Sequence, residues 1–188
     1  MASPAYARKK QPEAVRRALL DAAARIAVEQ GAPGITVQAV AEAAGVTKGG
    51  LFHHFPNKQA LIEAMFADVL EQLDREIDAH MAQDQDPHGP FSRAYVETLL
   101  VGERFGVGSP FDALSVAVLA EPSLGDLWAT WLRDRLVRHQ DTDADPMLEV
   151  VRLATDGAWL NHVIQRTERP RLEGLREQLL NLTRQAAP

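Results

Sequence analysis

The sequence predicts an all-α protein of about nine helices. Three observations carry that prediction. Apolar residues recur three and four positions apart along nearly the whole chain. No series of segments alternates with the period of two that strands require. Capping residues, glycines and prolines divide the apolar stretches into helix-sized lengths.

Ser3 to Gln11 reads as a polar, basic arm. Pro12 fits a helix start, where its missing N–H leaves nothing unpaired. Val15, Leu19, Ala22 and Ile26 mark one face of the first helix, which Gly31 ends. Pro33 and Gly34 make a turn, and Thr36 caps a second helix with inner face Val37, Val40, Ala41 and Ala44. Gly45 closes it. Thr47 caps a third helix, on which Leu51 and Phe55 point inward together. Pro56 stops that helix and Asn57 caps the fourth, from about Lys58 to Gln83. At the standard rise this fourth helix is over about 35 Å long, enough to link two domains. Asp84 to Pro90 is a break. A fifth helix covers about Phe91 to Glu103, with Gly106, Gly108 and Pro110 in a loop after it. A sixth runs from about Phe111 to Ala120 and a seventh from about Ser123 to His139. Asp141 to Asp145 reads as a polar connector. Asp145 caps an eighth helix that begins at Pro146 and runs to about Arg166. A ninth takes Leu172 to about Gln185.

The chain has 188 residues, no cysteine and 46% hydrophobic residues, which suits one or two compact domains and excludes disulfides and thiolate metal sites. The longest strongly apolar run, Ala113 to Ala120, is too short to span a bilayer. No signal-peptide pattern opens the chain, so the expected location is the cytoplasm. The net charge of −6 is unevenly spread. Residues 1–58 hold eight Lys/Arg and four acids, while the remaining 130 hold twelve and twenty-two. A basic head on an acidic body fits phosphate binding at one end.

Two short helices around Gly45 make a helix-turn-helix, the unit that lays its second helix in the DNA major groove. Thr47 can cap that helix and bind a phosphate. Lys48 stands at its N-terminus, where the helix dipole already favours anions. Gly49 and Gly50 each disfavour a helix by about 1 kcal/mol against alanine, which close approach of the backbone to the duplex would explain. His53 faces outward, His54 and Lys58 suit phosphates, and Thr36 points its cap at the DNA backbone from the other side. Phe52 is counted among the DNA-binding residues, although it reads first as a packing residue and only second as a base contact. Each threonine also reads as a cap alone, and the two histidines as a surface pair without a third metal ligand.

Residues 13–60 resemble the DNA-binding domain of the TetR family of bacterial transcriptional regulators. The resemblance rests on Ala41-Glu42-Ala43-Ala44-Gly45-Val46-Thr47, followed by Gly49-Gly50-Leu51-Phe52-His53-His54-Phe55-Pro56-Asn57-Lys58-Gln59-Ala60-Leu61. It implies phosphate contacts by Thr36, His54 and Lys58, and base reading by Gln38, Lys48, Gly49, Gly50 and His53. Phe52 stands where the family usually has tyrosine, so one phosphate-binding hydroxyl is missing. The implied organisation is an N-terminal arm and DNA-binding domain over 1–57, then a helical ligand-binding and dimerisation domain over 58–188.

The resemblance also implies a homodimer on double-stranded DNA. Its interface would be Leu153, Gly157, Leu160 and Ile164 of the eighth helix with Leu172, Leu175, Leu179 and Leu182 of the ninth. It implies a cavity for a small apolar or aromatic effector as well, lined by Phe66, Val69, Tyr95, Leu99, Phe105, Phe111, Leu114, Trp128, Trp131, Leu132, Trp159 and His162. The same residues would equally make an ordinary core. No cofactor and no metal is expected. Two other readings stay open: a DNA-binding regulator without a small ligand, and an all-α carrier or enzyme. Against an enzyme, no Ser-His-Asp order, paired-carboxylate motif, metal spacing or phosphate loop is present.

Overall fold

The structure is a computed structural model that describes residues 4–107, 109, 116, 120–165 and 168–184. The described residues are mostly helical, with no strand among them. They fall into two compact units, Met1–Val69 and Leu70–Pro188.

The first unit holds α1 (Pro4–Gln30), α2 (Val37–Ala43), α3 (Lys48–His54) and the start of α4 (Lys58–Met81). Helix α1 begins earlier than expected: the segment read as an arm is helical from Pro4 and Pro12 lies inside. Proline lacks the N–H that would bond back four residues, so this helix continues through Pro12 one hydrogen bond short. Leu19, Ala22, Ala23, Ile26 and Ala27 bury one face, and Gly31 ends the helix with its N–H on the Ala27 carbonyl at 2.9 Å. A single 3₁₀ turn, Ala32–Gly34, leads to the buried Ile35.

Thr36 caps α2, its Oγ1 accepting from the Ala39 N–H at 3.1 Å. At the turn, Gly45 has φ 68°, left-handed geometry that disfavours any L side chain, although a Cβ there would meet nothing within 4 Å. Backbone angle, not space, therefore selects this glycine. Thr47 caps α3 with Oγ1 on the Gly50 N–H at 3.1 Å, and Asn57 Oδ1 accepts from the Ala60 N–H at 2.8 Å to open α4. Leu51 and Phe55 are buried on one side of the turn, and the Arg16 guanidinium lies 5.0 Å from the Phe55 ring centroid.

The second unit is built around α5 (Pro90–Val96), which widens into a π-helical segment, Glu97–Val101, where the sequence predicted continuous α-helix to Glu103. After it come α6 (Pro122–Arg138), α7 (Gln140–Asp143), α8 (Pro146–Gln165) and α9 (Arg169–Thr183). The predicted sixth helix, Phe111 to Ala120, lies almost wholly outside the described residues. Helix α5 is covered throughout, with α7, α8 and α9 packed against it. Its polar side chains are therefore paired. Arg93 donates from Nε to Asp84 at 2.6 Å, and from Nη1 and Nη2 to the carbonyls of His88 and Asp86 at 2.6 and 3.0 Å.

The segment read as a polar connector is instead one helical turn, α7, because Asp143 is buried and tied to α5. Its carboxylate accepts from the Phe91 N–H at 3.3 Å, the Ser92 N–H at 2.8 Å and the Ser92 hydroxyl at 2.6 Å. It thereby caps α5 from a distant part of the chain. Arg152 then donates to Ser92 Oγ at 2.6 Å.

Candidate nucleic-acid interface

Helix α3 divides cleanly into two sides. Leu51 is fully buried against the first unit, whereas Lys48, Gly49, Phe52 and His53 share an exposed face. Phe52, for which packing and DNA contact were both open, is 47% exposed. The fold fills its inner positions with Leu51 and Phe55, so the phenyl ring at 52 is turned away from the core. His54 is half-buried, with its ring 5.6 Å from that of His53 in an edge-on arrangement.

Gly50 is half-buried and Gly49 exposed, and neither is required by the fold. A Cβ at Gly49 would meet only Thr47 Oγ1 at 3.9 Å, and one at Gly50 would meet that atom at 3.4 Å and Val46 Cβ at 3.7 Å. Those are ordinary contacts, and both glycines lie within the helix. No close contact inside the chain therefore demands glycine at either position.

Thr36, Gln38, Thr47 and Lys58 are exposed, with both threonine hydroxyls serving as caps. The Gln38 amide N–H donates to the Glu42 carboxylate one turn on, a contact the sequence reading did not anticipate. Glutamine four residues before glutamate on a helix is the signal that would have found it. With one amide hydrogen taken, Gln38 keeps its carbonyl oxygen free to accept from an adenine or cytosine amino group.

Of the expected effector residues, Phe66 and Val69 are buried in the first unit. In the second unit Tyr95, Leu99 and Phe105 are buried, while Trp128, Trp131, Leu132, Trp159 and His162 are half-buried. Phe111 and Leu114 lie outside the described residues. The Tyr95 hydroxyl donates to Asp156 Oδ1 at 2.6 Å. Burial pushes Asp156 above the usual carboxylate range, against the opposing effects of that hydrogen bond and of Arg152. Trp131 donates to Asp74 at 2.9 Å and lies 5.0 Å from the Trp128 ring, centroid to centroid.

The expected interface residues separate into two groups. On α8, Leu153 and Ile164 are 62% and 70% exposed, and Val150, Gly157 and Leu160 are exposed with them. These five positions advance by three and four residues alternately, the spacing of a helix–helix seam. Gly157 has nothing within 4 Å of a built Cβ, so here too the chain itself does not demand glycine. On α9, Leu172 and Leu179 are buried in the chain's own core with Val96, Leu100 and Val151, and Leu175 and Leu182 pack partly against that core. Leu172 and Leu179 thus serve the core of the single chain.

Among the described residues no group of acids and histidines could hold a metal ion, and no helix is long and apolar enough to cross a membrane.

Known proteins resemble this chain in sequence and in fold. The chain is 30% identical over 101 residues to the HTH-type transcriptional repressor KstR2 of Rhodococcus jostii, a match covering 54% of this chain and 47% of that protein. It therefore spans about half the length of that curated relative. The solved structure of the multidrug binding protein EbrR with imidazole is similar at TM-score 0.69 and 26% identity, covering 92% of each chain. EbrR with ethidium is similar at TM-score 0.67 and 28% identity, covering 89% of this chain and 97% of that one. Residues 19–65 match the family model for bacterial regulatory proteins of the tetR family, and residues 89–184 match the tetracyclin repressor-like C-terminal domain. Both halves point the same way: the chain belongs to the TetR family of DNA-binding transcriptional regulators, which are not enzymes.

Proposed function

We propose that this regulator is a ligand-responsive repressor working in the cytoplasm as a homodimer on double-stranded DNA. Two copies would set their α3 helices about 34 Å apart, one DNA turn, on a palindromic operator. Thr36, Thr47, His54 and Lys58 would hold phosphates, while Gln38, Lys48 and His53 reach base edges across the bare backbone of Gly49 and Gly50. The observation that carries this reading is the exposed face of α3, with two helix-weakening glycines that no contact inside the chain requires. The exposed seam on α8 supports the dimer.

A small apolar or aromatic effector would bind within the regulatory domain, residues 58–188, and release the DNA. The likeness to EbrR, solved with imidazole and with ethidium, supports that class of ligand. Helix α4 leaves the proposed DNA-binding domain, residues 1–57, and enters the body, so its displacement would move the reading head. A tenfold loss of operator affinity needs only about 1.4 kcal/mol of differential binding.

Binding to DNA from upstream of its own gene, titrated at two salt concentrations, tests the first part. A steep salt dependence is expected because several phosphates are neutralised. Lys58→Ala should weaken binding to all sequences, whereas Lys48→Ala should also relax sequence preference. Equal affinity for every sequence would sink the operator reading. The effector part is tested on free protein, since ethidium itself binds DNA. No rise in melting midpoint with any of a panel of aromatic cations and neutral aromatics would count against it.

A further inference from the structure

We propose that the second unit carries an anion-binding pocket, separate from the expected effector residues, for a small molecule bearing a multiply charged oxyanion. The pocket measures about 450 Å³ and lies where the end of α4 meets α5 and α9. That volume falls within the range of small-molecule sites, roughly 300–1,000 Å³. On α9 its wall is Arg176, Leu180 and Arg184, each one turn from the next. The groove between α8 and α9 uses Gly174, Leu175 and Gln178 instead. At about 100° per residue those two stripes lie on different sides of α9, so a partner seated on that groove leaves Arg184 in solvent.

Charge distinguishes this pocket. Residues 59–188 hold twelve Lys/Arg against twenty-two acids. Here the balance reverses, with Arg93, Arg176 and Arg184 against Asp84 and Glu97. Both acids are already taken. Asp84 accepts from Arg93 Nε at 2.6 Å and from the Asp86 N–H at 3.0 Å. Glu97 accepts from Arg176 Nε at 2.6 Å and also from Arg176 Nη2. Arg184 stays exposed, with no ion pair among the described residues. Its planar fork offers donors to two oxygens of one anion. Arg176 Nη1 and the exposed side chains of His80 and Gln83 supply further N–H groups at the rim. The C-terminal ends of α4 and α9 lie beside the pocket, and their dipoles weakly oppose an anion. A single negative charge therefore gains little, and two or more are needed to profit from both arginines. The buried Ala94 and Leu180 leave an apolar floor for a carbon skeleton. An anion held here ties the end of α4, through His80 and Gln83, to α9.

The test is isothermal titration of the full-length protein, free of DNA, with inorganic phosphate, with citrate and with sodium chloride at matched ionic strength. Phosphate or citrate should bind at one site per chain where chloride does not, and the tighter of the two identifies a phosphate or a carboxylate ligand. Arg184→Gln should weaken that binding about tenfold or more, the loss of a charge-assisted pair of hydrogen bonds. Arg184→Lys keeps the charge without the fork and should weaken it less. Arg133→Gln, an exposed arginine of α6, should leave it unchanged. Melting midpoints check that each variant folds, as the exposure of both arginines predicts. The proposal is overturned if neither anion binds more tightly than chloride, or if Arg184→Gln and Arg133→Gln bind alike. Because no DNA is present, neither result bears on whether α3 finds an operator.

Discussion

Gly50 shows how a single residue can be settled by what the fold does not ask of it. A Cβ fits there, and alanine is a better helix former by up to about 1 kcal/mol. Gly50→Ala should therefore raise the melting midpoint yet weaken operator binding, since the added methyl stands between backbone and duplex. Melting and DNA titration of one preparation check both halves, and a variant that gains stability without losing affinity would contradict the close-approach account. His139 and Asp156 tilt the pH dependence of stability in opposite directions. His139 stacks on Phe91 at 5.4 Å, its Nε2 is buried without a partner among the described residues, and burial and then Arg135 hold it below its ordinary value of 6.5. A depressed histidine gives stability that is present above its unfolded pKa and is lost as pH falls through that range. Burial raises Asp156, so its contribution has the opposite sign, present at low pH and lost as pH rises through its raised value. His139→Phe should lift the acid side of the stability profile, and Asp156→Asn the neutral side. Melting midpoints across the histidine and carboxylate ranges read both tilts.

At the scale of the element, the caps separate what is local from what is not. Thr36, Thr47, Asn57 and Asp145 all cap the helix that follows them, the last through the Met147 N–H at 2.7 Å, and each was legible from its place before an apolar run. Helix α5 breaks that rule. Gly89 precedes it with φ 73° and offers no side chain, so Asp143 takes the capping role from α7. No window of neighbouring residues contains both partners, and an aspartate between polar residues reads as a connector. Asp143→Ala leaves the buried Ser92 N–H and hydroxyl without their acceptor and should destabilise the protein by about 2–4 kcal/mol. Urea unfolding measures this, and a loss well under 1 kcal/mol would mean that water reaches the site. The Arg135 clamp has the same non-local character. Its guanidinium, 1% exposed, meets Asp78 at 2.6 Å and Asp74 at 3.2 Å on α4 and lies 5.2 Å from the Phe91 ring centroid. In the sequence, Arg135 is one basic residue among several at the end of a helix.

For the whole molecule, the question is which apolar surface the chain covers by itself. Helix α8 is apolar around most of its circumference, and periodicity alone cannot divide such a helix into a core side and a partner side. The fold makes the division: Leu148 and Val151 are buried, while Val150, Leu153, Leu160 and Ile164 stay exposed. Leu153→Glu should leave the monomer folded and keep two copies apart. Operator affinity should then fall by about a hundredfold or more, because two linked reading heads become independent. Sedimentation and DNA titration together check this. A variant that stays dimeric would move the interface elsewhere, and a monomer with undiminished affinity would remove the need for two heads.

Local spacing and chemistry were enough to set the helical class, the helix-turn-helix with its caps and its glycine turn, and the family to which those residues belong. These are local properties, written within one or two turns of helix by spacing, capping oxygens and the left-handed glycine. Tertiary structure decided that Phe52 faces outward, that Asp143 belongs to α5, that Tyr95 is bonded to Asp156, and that Leu172 and Leu179 are core while Leu153 and Ile164 are not. Each of those outcomes depends on a partner tens of residues away, or on which of two apolar faces finds one. A side chain's chemistry is fixed by its identity, but its exposure is a property of what the rest of the chain packs against it.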